Sequence, residues 1–200
     1  MKDDKDKLRA DAQANRDRIL DVARDAFVAD PQTSLNAIAK AAGVGPGTFY
    51  RHFPSREALL AGVYHKEIRG LVDLAPALLD AHPPLLALGA WCDRFAQLGS
   101  MKHGVGDTLR AVVSDQDLRE TFRLLTEAVR CLMAACENTS SIRRGANPED
   151  VLVLLSSVLR IAPSAAGKRQ AERIITLILR GLGADELSEE EAPSSQATHS

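Results

Sequence analysis

From Ile19 to Leu182 the apolar residues of this chain recur every three or four positions, the period of one helix face. In residues 16–29 (RDRILDVARDAFVA) Ile19, Ala23, Ala26 and Phe27 fall at i, i+4, i+7 and i+8. No run alternates β-branched with polar residues, and no Asn-Gly or Asp-Gly hairpin turn occurs. The predicted fold class is all-α, with about nine helices.

Proline, glycine and capping residues punctuate that pattern. Asp30-Pro31 ends the first helix, because a residue before proline is driven out of the α region. Leu35, Ile38, Ala39 and Ala42 then predict a short helix over about 34–41, capped by Thr33 or Ser34, with Gly43 suited to a left-handed C-terminus. Gly45-Pro46 opens a third, very short helix. Pro54-Ser55 closes it and starts a fourth, which is expected to run to Pro76. Beyond Pro83-Pro84 lie longer stripes: Leu88, Trp91, Phe95 and Leu98, then Leu118, Phe122, Leu125, Val129 and Leu132. Gly104 and Gly106 are expected to break the chain between them, and two more helices follow, from Pro148 to about Arg160 and from Lys168 to Leu182.

This divides the chain into a head at 16–62 and a larger body at 63–183. The flanks are read as a disordered arm at 1–15 and a disordered acidic tail at 184–200. With the tail's five acids set aside, 27 acidic groups become 22, against 25 basic ones. A formal charge of −2 therefore does not exclude a basic patch that meets nucleic acid. The arm alternates Lys with Asp and carries little net field. No segment is long and apolar enough to span a membrane, and the N-terminus lacks a signal-peptide core, which points to the cytoplasm. Cys92, Cys131 and Cys136 form no CxxC pair and read as small buried hydrophobes. His65 and His103 have no companion ligands, so neither a metal nor a cofactor is expected.

The stretch AGVGPGTFYRHFPSREALL, residues 42–60, could suggest a phosphate cradle for a nucleotide. A dinucleotide loop needs a preceding strand, and a P-loop needs GxxxxGK[ST]; neither condition holds. Two short helices joined by a glycine-containing turn instead fit helix–turn–helix, whose second helix offers its N-terminal residues to the major groove. Gly45 and Gly47 permit close approach, Thr48 can meet a phosphate or a thymine methyl, and Tyr50 and His52 offer donors. Arg51 adds charge, while Ser55 and Arg56 place a cation and free N–H groups at a helix start. Phe49, Phe53 and Leu59 read as the seal of the three-helix unit.

At this point SLNAIAKAAGVGPGTFYRHFPSREALL resembles the DNA-binding domain of the TetR family of transcriptional regulators. The likeness lies in Ile38-Ala39, Ala42-Gly43-Val44, Gly47-Thr48, Tyr50, His52-Phe53 and Leu59, and an actinobacterial-type branch is suggested by the first helix. The resemblance implies a homodimer on a palindromic double-stranded operator, usually a repressor, released by a small-molecule effector of unknown identity. It maps DNA contacts onto Thr33, Ser34, Gly45, Pro46, Gly47 and Thr48, and phosphate contacts onto Tyr50 and His52. Arg56 stands where the family usually has Lys. The connection from Phe27 to Ile38 is about two residues shorter than usual, and Gly45 replaces the common Ser or Ala.

In the body, Trp91, Arg94, Phe95, Met101, His103, Phe122 and Met133 are candidate pocket residues as a group, because apolar helices carrying a few polar groups suit small molecules. Any single one of them at helical spacing is more often ordinary core. Val151, Leu154, Leu155, Val158, Ile174, Ile175, Ile178 and Leu179 present more apolar surface than one small core needs. An intersubunit four-helix bundle would bury it. The alternatives are a helical small-molecule-binding or adaptor protein that does not bind DNA and, further off, a nucleotide-binding enzyme.

Overall fold

The computed structural model describes the backbone of residues 2–184 and the side chains of residues 11–99 and 111–184. Among the described residues there are eight α-helices, one 3-10 turn and no strand. The order is α1 (Lys2–Ala29), α2 (Leu35–Ala41), α3 (Pro46–His52), α4 (Arg56–Ala81), α5 (Pro84–Val112), α6 (Asp115–Asn138), α7 (Pro148–Ser156), the 3-10 turn (Ser157–Arg160) and α8 (Ala165–Gly181).

Local chemistry sets most of these ends. Ser34, Ser55, Ser114, Asn147 and Ser164 each cap a helix with a side-chain oxygen. Ser114 and Asp117 form a reciprocal capping box, and the Ser114 hydrogen bonds hold the Asp117 carboxyl below its ordinary range. Gly43 closes α2 at φ +66°, where a side chain would be strained.

Three boundaries differ from the sequence reading. The segment expected as a disordered arm continues α1, since no glycine or proline interrupts residues 2–29. Helix α4 passes through Pro76 instead of stopping there. Leu71 and Ala75 stay buried across that point, and tertiary packing outweighs the lost N–H bond. Helix α5 passes through Gly104 and Gly106, each of which disfavours a helix by only about 1 kcal/mol. Of the acidic tail, Ala184 alone is described; residues 185–200 lie outside the described residues.

Helix α4 joins the head to the body, packing on α1 in one and on α5 and α6 in the other. In the head, Ile19, Leu20 and Phe27 meet Ile38, Phe49, Phe53 and Leu59, all buried. Contact there is tight: a Cβ on Gly62 would lie 2.9 Å from both Leu20 and Phe53. In the body, Trp91 stacks on Phe95 with ring centroids 5.5 Å apart and donates its indole N–H to the Leu71 carbonyl at 2.8 Å. Cys92 and Cys136 lie in this core, and burial pushes their thiols up to about 12 and about 11. Cys131 departs from its expected place: it falls on the outward side of α6 and is exposed.

The junction of head and body carries one buried acid. Glu67 of α4 accepts from Arg94 of α5 at 2.6 Å and lies 3.5 Å from Arg24 of α1. Three helices thus share one carboxylate, which burial would otherwise make costly.

Candidate nucleic-acid interface

Helices α2 and α3 are joined by residues 42–45. Their backbone closes the turn through Val44 N–H to the Ala39 carbonyl and Gly43 N–H to the Lys40 carbonyl, both 3.1 Å. Ile38 and Ala39 face inward from α2, and Phe49 from α3. The outer face of α3 is left to Gly45, Pro46, Gly47, Tyr50 and Arg51, all exposed, with Thr48 and His52 half-buried beside them. A Cβ added to Gly45 or Gly47 would meet nothing within 4 Å, so neither glycine is required by packing inside the protein. The open space lies on the outside.

Several polar side chains expected on this face already have partners. The Tyr50 hydroxyl donates to Asn36 Oδ1 of α2 at 3.1 Å, which ties the two helices together. Arg51 folds back along its own helix, donating to the Gly47 carbonyl at 3.0 Å and to Thr48 Oγ1 at 3.3 Å. Ser34 Oγ accepts from Ala37 N–H at 3.2 Å and Ser55 Oγ from Ala58 N–H at 3.1 Å, so both hydroxyls serve as caps. Thr33 is half-buried, with its N–H bonded to the Asp30 carbonyl at 3.0 Å. Arg56 turns inward: its guanidinium donates to the carbonyls of Thr33, at 2.7 Å, and Pro31, and lies 4.8 Å from the centroid of the Phe27 ring.

Two residues that the sequence reading did not single out join the site. Asn36 sits in the first turn of α2 as the partner of Tyr50, fourteen positions away, and no local signal couples such a pair. Arg16 of α1 lies over the Phe53 ring, 5.3 Å from its centroid, and the His52 ring lies 6.3 Å from that same ring. Its place before Ile19 does not distinguish it from Arg18 in the sequence.

None of the described candidate pocket residues lines the two cavities of the body. Trp91, Phe95 and Met133 are spent in the core, Arg94 is paired with Glu67, and Phe122, with Leu118, is exposed near the start of α6. Met101 and His103 lie outside the described side chains. A cavity of about 690 Å³ lies elsewhere, between α5, the 3-10 turn and α8, and Asp93, Val158, Ile161, Lys168, Glu172 and Ile175 are among its walls. Burial and the neighbouring Glu172 charge push the Asp93 carboxyl up, while Lys168 pulls it down. Among the described residues no cluster of His, Cys, Asp and Glu could hold a metal ion, and no helix could cross a membrane.

The candidate dimer residues divide in two. Val151, Leu155, Val158, Ile175 and Leu179 are buried within the protomer. Leu154 is 56% exposed, and Ile174 and Ile178 are half-buried. Val153 and Leu177, which the sequence reading passed over, are exposed by 58% and 68%. Leu154, Ile174, Leu177 and Ile178 line a groove of about 570 Å³ between α7 and α8.

Geometry therefore defines a helix–turn–helix unit mounted on a helical body. The sequence pattern of the bacterial regulatory proteins of the tetR family matches residues 19–63, and that of the SbtR-like transcriptional regulator C-terminal domain matches residues 83–184. A TetR transcriptional regulator of Streptomyces coelicolor is 37% identical, over 84% of this chain and 97% of that one, with a TM-score of 0.75. A TetR regulatory protein of Mycobacterium vanbaalenii is 31% identical, over 88% and 98%, with a TM-score of 0.70. The HTH-type transcriptional regulator UidR of Escherichia coli is 40% identical over 60 residues, 29% of this chain and 31% of that protein. The match to this curated relative thus spans about a third of its length. The chain belongs to the TetR family. It is a DNA-binding transcriptional regulator, of a family that is not enzymatic.

Proposed function

We propose that this regulator is a repressor that binds a palindromic operator as a homodimer in the cytoplasm and leaves it when a small molecule enters residues 63–183. One observation carries the DNA half: the first turn of α3 exposes Gly45, Pro46 and Gly47 with open space outside them and Thr48 at their edge. Backbone can approach a groove there without displacing a side chain. Thr48 then reads or positions, Tyr50 and His52 reach phosphates, and Arg51 must let go of Gly47 and Thr48 to follow. Ser34 and Ser55 take part through the helix starts that they cap, and Thr33 from its place just before α2.

The dimer is supported by the strip of Leu154, Ile174, Leu177 and Ile178, to which Val153 adds apolar surface. Two such strips packed face to face make a four-helix bundle, and its two-fold axis would place the α3 helices in successive major grooves. The effector half is supported by the cavity between α5 and α8, whose size suits a small ligand.

Selection of random duplexes on the full chain tests the reading. Enrichment of an inverted repeat, with half-sites about 34 Å apart or a multiple of that, is expected. Enriched sequences without two-fold symmetry would overturn the homodimeric operator. For the effector, Ile175→Trp should fill the cavity and leave DNA bound in the presence of compounds that release it from the unaltered protein.

A further inference from the structure

Helix α4 opens with the cation expected to meet a phosphate, yet the structure gives that cation other work. Arg56 donates to two carbonyls, those of Pro31 and Thr33, and lies over the buried Phe27 ring. All of its partners belong to the end of α1 or to residues 30–34, the five-residue connection into α2. That connection has little of its own to hold it: Thr33 N–H to the Asp30 carbonyl and Gln32 N–H to the Asp30 carboxylate. A planar guanidinium can lie flat over the ring while its edge donates to two carbonyls in one fixed geometry. A lysine ammonium, a point charge on a flexible stem, does not hold that arrangement. Arg56 therefore fixes the place where Ser34 caps α2.

Arg16 is built the other way round. One face of its guanidinium rests over Phe53, the C-cap of α3, and the side chain is half-buried. Among the described residues no carboxylate lies within ion-pair distance of it, and no hydrogen bond consumes its donors. A cation held by a ring on one side and unpaired on the other is ready for an anion. The ring it covers, Phe53, directly follows His52 at the end of the recognition helix, and the two rings lie 6.3 Å apart.

We propose that Arg16 supplies the backbone-phosphate charge at this edge of the head, and that Arg56 is a positioning residue setting the entry of α2. The two roles separate in the salt dependence of DNA binding. Each phosphate neutralised contributes a slope of about −0.9 in log K against log salt, whereas a positioning residue contributes none.

The experiment is fluorescence anisotropy of the full-length protein with a mixed-sequence duplex of about 40 base pairs, over about 50–200 mM salt. Arg16→Gln keeps a long stem over Phe53 and should reduce the slope by about 0.9 per bound protomer, while Arg16→Lys should retain it. Arg56→Ala and Arg56→Lys should both weaken binding and leave the slope of the unaltered protein. Amide exchange should quicken in the first turn of α2, at Ala37 and Ile38, in both Arg56 variants and in neither Arg16 variant. Restoration of affinity by Arg56→Lys, or a slope lowered by Arg56→Ala and not by Arg16→Gln, would overturn the assignment. A slope unchanged in Arg16→Gln would overturn it as well.

Discussion

The head and the body are made by one rule, inward apolar faces at helical spacing, and they use their remaining surface in opposite ways. In the head, α3 is seven residues long and spends one side chain, Phe49, on burial. Its other positions form an outer face on which polar groups are loosely held by Asn36, Gly47 and Thr48. In the body, the aromatic and sulfur-bearing residues that suggest a pocket are mostly core, and the cavity lies among smaller side chains along α5 and α8. A short element shows its function on its surface because it has almost no interior. A long one hides its own, because core, cavity and partner all require the same apolar residue types.

The sharpest way to break this contrast is to empty one core and watch the other. Phe49→Ala should cost about 3–5 kcal/mol. Since α4 runs through both cores, helix signals from head and body should be lost together in a urea titration. Two separate transitions would show that the head unfolds alone.

A smaller effect sharpens the junction. Arg94→Ala leaves Glu67 buried with only the more distant Arg24, and should cost about 2 kcal/mol, below the usual 3–5 for a buried pair because Arg94 is itself a third exposed. Arg24→Ala should cost less than about 1 kcal/mol, as that contact is longer and partly wet. An equal loss from the two arginines, measured by chemical denaturation, would mean that Glu67 does not depend chiefly on the body.

Alkaline titration sets a third, confined to the body core. The Cys92 thiol rises from 9.0 to about 12, so above pH 9 the unfolded chain releases a proton that the folded one keeps. The part of the stability governed by this thiol is then fully present below about pH 9 and falls by up to about 1.4 kcal/mol per pH unit beyond it. Cys92→Ala should roughly halve the slope between about pH 9 and about pH 10.5, because Cys136, raised to about 11, contributes a similar slope there. A slope unchanged by the substitution would place its source outside this thiol.

The smallest expected change in stability carries the largest difference between folding and function. Gly47→Ala meets open space and should alter stability by no more than about 1 kcal/mol, in the stabilising direction. The added methyl should nevertheless weaken DNA binding at least about tenfold, read by anisotropy, equivalent to about 1.4 kcal/mol. Unchanged binding would remove Gly47 from the contact surface.

How far the sequence could be read differed residue by residue. Gly43, Pro46 and Ser55 were legible because each has a local reason to stand where it does: a left-handed cap, a first-turn proline, a side-chain cap. Phe49, Phe53 and Leu59 were legible as core from spacing. The inward turn of Arg56 was not, because a guanidinium at a helix start suits an anion equally well. Asn36, Arg16 and the Glu67 junction depend on partners 14 to 43 positions away, which no local pattern connects. Val153 and Leu177 were passed over because apolar spacing marks the buried face first.

By itself, then, the sequence determined an all-α chain, the turn between α2 and α3, the caps and the inward residues of the head. These depend on intrinsic backbone preferences and on a period that any helix shares. Only the tertiary structure decided that Pro76, Gly104 and Gly106 would be carried within helices, that Arg56 would clamp a loop, and that Leu154 and Leu177 would stay outside. Those outcomes follow from which helix packs against which. Energies of burial and of charge pairing exist only once distant segments have met.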